Sequence, residues 1–292
     1  MTTPPETVVS IIITNWNTCE LLDGALDSIA TLAPSGSTET VVVDNGSVDG
    51  SPAMVEEKYP WVKLIRNAGN LGFARANNQG IAVARGKYVL LLGSDTILLK
   101  GTIATLSSFL DAHQEVGAAG CRLLNPDRTP QTSCRRFPRL RDAVATYLSL
   151  HSLARRYTMK GFEFYRTQAV DQPAATCLIV RRDLLNELHG FDEHLTILYN
   201  DVDLCQRIRA RGWEIYFNAE TEIIHYGSMT TSSAPPGVRL EMYRNILRYF
   251  RSYAGPLARW VLTPILVVRL FLLTRSSMAF RLFTLEPGNW QA

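Results

Sequence analysis

Short apolar runs alternate with amphipathic stretches along the first third of the chain. "VVSIII" (residues 8–13) and "ETVVVD" (ending at Asp44) are β-branched and nearly continuous, as in strands buried on both faces. Between them, "CELLDGALDSIATL" sets Leu22, Ala25, Leu26 and Ile29 at helical spacing. Residues 51–59 predict a second helix, "VKLIRN" a third strand, and "FARANNQGIAVARG" a third helix stopped by Gly86. "KYVLLLGSD" predicts the fourth strand. Continuous strands separated by helices imply an α/β fold with a mostly parallel central sheet covered on both faces. From Arg122 to Gln172 the pattern loosens. A turn-like "NPDRTP", a basic "RRFPRLRD" and a helix-compatible "AVATYLSLHSLARR" suit loops and short helices beside a site better than a separate domain. Periodicity returns with "AATCLIVRRDLLNEL", a strand passing into a helix. "YNDVDLCQRIRARG" follows as a helix and "EIYFNAETEIIHYG" as one or two strands.

In such sheets ligands gather outside the carboxyl ends of the strands. The residues just past the first four strands are 14–17, 44–47, 67–70 and 93–95; these loops are mainly polar, and two present an acid. The first strand runs into "TNWNTC" without a glycine, and no G-x-x-x-x-G-K-[ST] occurs. Dinucleotide-binding and P-loop folds are therefore not expected, and a ligand would be met through side chains. Trp16 suits stacking on a nucleobase, or a place in the core. Asp44 suits the imide N–H of uracil or thymine, or an Asx turn in "DNGS". Asp95 suits a divalent cation, Mg2+ or Mn2+, between the protein and a diphosphate. Its alternative, with Thr96, is the cap of a helix beginning near Ile97.

At 292 residues, 46% apolar and 20% charged, the chain is that of a folded protein with room for one large domain and an appendage. Five scattered cysteines with no CxxC pair argue against a disulfide framework or a zinc knuckle and fit a reducing compartment. "MTTPPETVVS" carries no basic or hydrophobic signal region, so a cytoplasmic location is the expectation.

Six blocks occur in order: "VVSIIITNWNT", "ETVVVDNGSVDGS", "NAGNLGFARANNQGI", "GKYVLLLGSDTIL", "GFDEHL…LYNDVDLCQRIRARGW" and "IIHYGSMT". Together they resemble the family-2 inverting glycosyltransferases with the GT-A fold, closest to the rhamnosyltransferase-like branch, over residues 8–230. The resemblance implies a glycosyltransferase domain over 1–230, its nucleotide-sugar half reaching to about 120, and a tail over 231–292. It implies a nucleotide-diphosphate sugar donor, dTDP- or UDP-linked, and a glycan or lipid-linked saccharide acceptor in cell-envelope polysaccharide synthesis. Asn15, Trp16 and Asp44 would contact the base, with Asn70 and Arg75 near the ribose or phosphates. Helix-cap packing is the alternative for the "NLGFA" stretch. Ser94 and Asp95 would lie at the diphosphate, Asp95 matching the last acid of a D-x-D metal site. This chain has Gly93-Ser94-Asp95 there, a single carboxylate. The resemblance offers His225 as the second metal ligand; a buried His bonded to a carbonyl is its alternative.

Inverting transfer needs a base for the acceptor hydroxyl. Asp201 falls at a helix start, where an ionised carboxylate is favoured, and matches the Asp of the family's Glu-Asp pair. Asn200 replaces the Glu, so the base is retained while the acceptor contact changes; Asp203 is the second candidate. Dipole compensation is the alternative for both acids. "DQPAATC" lacks the Gly-Ala pair common near the acceptor, which implies a differently shaped pocket.

The tail is basic. Between Arg239 and Arg281 stand eight arginines and one acid, Glu241, more positive charge than the chain's net +3. In "MYRNILRYFRSY", Tyr243, Ile246, Leu247 and Phe250 share one face, with Arg244, Arg248 and Arg251 opposite. "WVLTPILVVRLFLL" is mostly apolar, broken by Pro264 and Arg269, and short for a spanning helix. It suits the interface at the inner face of the cell membrane, with packing on the protein or a homo-oligomer contact as alternatives. No nucleic-acid recognition motif accompanies the arginines. Two other classes stay open at this level: a sugar-1-phosphate nucleotidyltransferase, whose Gly-rich basic loop is missing after the first strand, and a non-catalytic carbohydrate-binding relative.

Overall fold

A computed structural model describes residues 8–33, 36–150, 157, 159, 161–227, 236–275 and 277–283. The second half of the helix expected over "AVATYLSLHSLARR", the end of "IIHYGSMT" and the 230/231 boundary lie outside the described residues. Among these residues the chain runs β1 (Val9–Asn15), α1 (Cys19–Leu32), β2 (Thr38–Asp44), α2 (Ser51–Lys58), β3 (Lys63–Arg66), α3 (Phe73–Val83) and β4 (Tyr88–Gly93). Next come β5 (Thr96–Leu98), α4 (Thr102–Ala112), β6 (Val116–Leu124), β7 (Pro130–Gln131), β8 (Cys134–Arg135) and α5 (Leu140–Tyr147). Then follow β9 (Gln168–Ala169), β10 (Gln172–Pro173), β11 (Cys177–Arg181), α6 (Arg182–Glu187), α7 (Asn200–Ala210) and β12 (Glu214–His225). Two long helices, α8 (Pro236–Ala254) and α9 (Leu257–Thr274), and a 3-10 helix over Ser277–Phe283 close the chain.

The main path of the sheet is β3-β2-β1-β4-β11-β6-β12-β5. β1 pairs in parallel with β2 and β4, β2 with β3, and β12 with β6. β11 enters antiparallel between β4 and β6. The two-residue alternation of the strands sorts their apolar side chains onto the two faces. Ile11, Ile13, Leu90 and Leu92 pack with Leu22 and Leu26 of α1 and Leu106 of α4. Ile12 and Leu91 pack on the other side with Ala74 of α3, Leu184 of α6 and Leu204 of α7. All five cysteines are free thiols, four of them buried.

Three expectations change here. Helix α3 ends at Val83, with Ala84 extended as its cap, so Gly86 does not stop it. Instead Gly86 lets two segments touch: a Cβ there would sit 2.6 Å from the Ser10 nitrogen, and its own N–H donates to Ser10 Oγ at 2.8 Å. Asp95 and Thr96 cap no helix, because residues 96–98 form β5, antiparallel to β12, and α4 waits until Thr102. Arg244 and Arg248 do not lie on an outer polar face. Arg244 is 4% exposed, and both guanidiniums turn onto Glu241, the one acid between Arg239 and Arg281. A charge inside apolar surroundings is tolerated only when paired, and Glu241 supplies that partner.

The tail is no loose appendage. Ile246, Leu247 and Phe250 of α8 and Leu262, Leu266 and Leu270 of α9 form a third core with Ala143 of α5, Val202 of α7 and Leu195 of the segment before α7. Helix α9 is longer than its 14-residue apolar run suggested. Its 18 residues have a mean hydropathy of 1.8, long and apolar enough to cross a membrane by length and composition, and 33% of them are buried on the protein. Arg269, which interrupts that run, donates to the Tyr147 carbonyl at 3.0 Å and to Ser149 Oγ at 3.2 Å.

Candidate active site

The loops past β1 and β2 are tied together by side chains. Asn15 Nδ2 donates to Asp44 Oδ1 at 2.9 Å and to Ser47 Oγ at 3.1 Å. Asp44 Oδ2 accepts the Gly46 and Ser47 N–H groups at 3.1 and 2.9 Å. Of the two readings of Asp44, the turn is the one the geometry contains. Its carboxylate, in a residue 2% exposed, is engaged by its own loop. Trp16 is half-buried and belongs to none of the hydrophobic cores, so its indole stays at the loop rather than inside. Thr18 Oγ1 donates to Asn15 Oδ1 at 2.6 Å, so the 2.9 Å contact between Thr18 and Ser94 is donated by the Ser94 hydroxyl. Asn15, Asp44, Ser47, Thr18 and Ser94 thus form one connected rim; Thr18 and Ser47 were not singled out in the sequence.

Asp95 and His225, 130 residues apart in sequence, meet because β5 pairs with β12. His225 stands opposite Thr96 in the register, and the Tyr226 N–H donates to the Asp95 carbonyl at 2.9 Å. His225 Nε2 lies 3.2 Å from Asp95 Oδ2. Gly93 makes room for this carboxylate, since a Cβ there would be 2.8 Å from Asp95 Oδ1. One oxygen and one nitrogen ligand suit Mg2+ or Mn2+, which complete their shells with substrate phosphates and water. Among the described residues no group of three His, Cys, Asp or Glu could hold a metal without such help.

Asp201 is the second residue of α7. Its Oδ1 accepts the Val202 N–H at 2.8 Å and its Oδ2 accepts Gln172 Nε2 at 2.9 Å. Burial pushes its carboxyl above the usual carboxylate range, opposed by backbone donors at Val202 and Ala175 and by the charge of Arg135. The segment carrying Gln172 and Ala175 also reaches the metal motif, because the Gly93 N–H donates to the Thr176 carbonyl at 2.9 Å. Asp201 and the Gly93-Ser94-Asp95 motif are therefore tied to the same five residues, 172–176, Asp201 through Gln172 and the Ala175 backbone and the motif through the Gly93 N–H. Asn200 is buried; its Oδ1 accepts the Asp201 N–H at 2.8 Å, while its Nδ2 has no hydrogen-bond partner.

Other candidates are placed differently. Asp203 is taken up in the scaffold: one oxygen accepts Arg207 Nε at 2.7 Å and the other the Tyr253 hydroxyl of α8 at 2.6 Å. That leaves it poorly suited as a base or an acceptor contact. Arg75 is 59% exposed with Glu193 at 3.9 Å, a loose surface pair rather than a buried phosphate clamp. Asn70 closes a local turn, its Oδ1 accepting the Gly72 N–H at 2.9 Å. The "NLGFARANN" block ties the start and middle of α3 to the segment before α7. The Phe73 N–H donates to the Thr196 carbonyl at 2.7 Å, and Asn78 accepts the Phe191 N–H and donates to the Phe191 carbonyl. Gln172, the partner of Asp201, carries no local sequence signal that marks it out.

Residues 10–188 match the model of the family described as Glycosyl transferase family 2. The chain belongs to that family. This glycosyltransferase is 26% identical over 292 aligned residues to the N-acetylglucosaminyl-diphospho-decaprenol L-rhamnosyltransferase of Mycobacterium tuberculosis, covering 93% of this chain and 94% of that protein. It is 24% identical over 169 residues to rhamnosyltransferase WbbL of Escherichia coli, covering 55% of this chain and 62% of the other. Among solved structures it is similar to a mannosyltransferase from Pyrobaculum calidifontis in complex with GDP-Man and Mn2+, with a TM-score of 0.58 and 21% identity over 95% of this chain and 72% of the other. It is also similar to S. aureus TarS in complex with UDP-GlcNAc, with a TM-score of 0.56 and 20% identity over 93% of this chain and 74% of the other. The fold of this glycosyltransferase is GT-A, and it lies in the rhamnosyltransferase-like branch. The family sets aside the nucleotidyltransferase reading, and the named enzymes among its relatives favour catalysis over simple carbohydrate binding.

Proposed function

We propose that this glycosyltransferase moves a sugar, rhamnose by preference, from a dTDP- or UDP-linked donor to a hydroxyl of a glycan or lipid-linked saccharide, with inversion. The acceptor oxygen bonds to the anomeric carbon as the bond from that carbon to the diphosphate breaks. Asp201 takes the hydroxyl proton, and the nucleoside diphosphate leaves. The observation that carries this reading is Asp201 itself, a desolvated carboxylate at the start of α7, aimed by Gln172. A carboxyl raised above its ordinary value is a better proton acceptor once ionised. The donor would lie against the rim of Asn15, Trp16 and Ser94. A divalent cation bound by Asp95 and His225 would neutralise charge on the departing diphosphate.

A lipid-linked acceptor agrees with the tail. The face of α9 opposite the third core leaves Trp260 73%, Val268 59% and Leu272 57% exposed, and Phe280 of the following turn 56%. Such a face beside arginines suits the surface of an anionic membrane, with the enzyme peripheral on its inner side.

The test uses Asp201→Asn with dTDP-rhamnose and a lipid-linked saccharide. Transfer falls by about 10²–10⁴-fold while the donor still raises the melting temperature of the variant as it does that of wild type. Undiminished transfer by the variant refutes the assignment.

A further inference from the structure

The turn "NPDRTPQ", residues 125–131, joins β6 to β7 and has no part in the reaction described above. Its side chains form a directed chain of hydrogen bonds. The direction is set at Asp127, whose carboxylate only accepts. Thr129 Oγ1 donates to Asp127 Oδ1 at 2.6 Å, which commits the single hydroxyl proton of Thr129. Thr129 Oγ1 must then accept from Asn125 Nδ2, 2.9 Å away. That orients the Asn125 amide, whose Oδ1 accepts from Gln131 Nε2 at 3.0 Å. Gln131 in turn can show only its carbonyl oxygen to His225, and Oε1 contacts Nδ1. His225 Nδ1 therefore carries the proton and donates it.

The backbone holds this chain in place. The Asn125 N–H donates to the Thr129 carbonyl and the Arg128 N–H to the Asn125 carbonyl, both at 2.8 Å, with Arg128 left-handed at φ 66°. β7 pairs with β6, Leu123 opposite Gln131, and β12 pairs with the other edge of β6. The sheet thus brings Gln131 and His225 together at one end.

A neutral imidazole protonated on Nδ1 turns the Nε2 lone pair outward, and Nε2 faces Asp95 Oδ2 at 3.2 Å. Two acceptor atoms so close repel unless a proton or a metal cation lies between or beside them. We propose that the residue 125–131 turn is a tautomer lock: Gln131, aligned from Asp127 through Thr129 and Asn125, is a positioning residue that keeps His225 Nε2 free to bind a divalent cation with Asp95. This rests on the metal reading of Asp95 and His225 given above. Ligating histidines are commonly oriented by a partner on the second ring nitrogen, whose loss weakens metal binding about 10–100-fold.

The test measures Mn2+ binding to the full chain by the EPR signal of free Mn2+, and the ring-nitrogen shifts of His225 by NMR in the metal-free protein. Gln131→Leu is expected to weaken Mn2+ binding by about 10-fold or more. Gln131→Glu, which still accepts from Nδ1, binds Mn2+ at least as tightly as wild type. Wild-type His225 shows the Nδ1–H tautomer, and Gln131→Leu a mixture. Wild-type affinity in folded Gln131→Leu, or an Nε2–H tautomer in the wild-type chain, overturns the lock. If Gln131→Leu does not fold, the wild-type tautomer and Gln131→Glu decide. His225→Ala binding Mn2+ as well as wild type overturns instead the metal reading beneath it.

Discussion

Gln172 offers a sharp test of how Asp201 is tuned. Replacing it with Leu keeps much of its volume and removes the 2.9 Å bond from Nε2 to Asp201 Oδ2. A hydrogen bond to a charged group contributes about 1.5–3 kcal/mol, and it acts here on the ionised form alone. Its loss therefore raises the Asp201 pKa further, on top of the rise that burial already imposes. The sign follows from which form is favoured. Raising the pKa of a base moves the acidic limb of kcat/KM to higher pH, so the variant loses activity first at mildly acidic pH and recovers as pH rises. Stability moves with it. An acid whose folded-state pKa lies above its unfolded value costs nothing below both; its cost enters as pH rises past the unfolded pKa and is complete above the folded one, so a higher folded pKa prolongs the loss. Gln172→Leu should therefore match wild-type stability most closely in acid and fall behind as pH rises. The assay is the pH profile of kcat/KM for donor hydrolysis and transfer, with thermal melts at each pH. Gln172→Glu is the control: a second carboxylate beside Asp201 moves the limb the same way or further. An unshifted limb in Gln172→Leu, with activity lowered equally at every pH, would mean that Gln172 only shapes the loop.

Two further outcomes follow from the geometry. Asn78→Ala removes both bonds to the Phe191 backbone and leaves its N–H unpaired. A cost of about 1–3 kcal/mol should lower Tm by roughly 2–10 °C, seen by calorimetry, because this bond pair fastens the segment before α7 to α3. Trp260→Glu combined with Leu272→Glu places acids on the exposed face of α9. Co-sedimentation with anionic vesicles should drop sharply while the melting temperature holds, and unchanged partitioning would dismiss the membrane face.

The alternation of strands and helices was readable along the chain because burial imposes a local period, two for strands and 3.6 for helices. Ile11, Ile12 and Ile13 fall on alternate faces as that period requires. The polar loops past β1, β2 and β4 could be located for the same reason, and they carry Asn15, Asp44, Ser94 and Asp95. Local pattern also suggested what was not so. Asp95-Thr96 resembles a helix cap, and only pairing with β12, more than a hundred residues later, makes it a strand. Arg244 and Arg248 resemble an outer face, and only Glu241 on the inward side draws them in.

Residue pattern alone located the first four strands and the helices between them, the sheet edge where chemistry gathers, and, through ordered blocks, the family. Tertiary structure alone decided that Gln172 meets Asp201 and Tyr253 meets Asp203, and it brought His225, which the ordered blocks had offered, onto Asp95. Periodicity reports how a residue faces the core, which neighbours a few positions away reveal. A hydrogen bond needs two atoms about 3 Å apart, and for partners separated by 29 to 130 residues only the closed sheet and its packed helices set that distance.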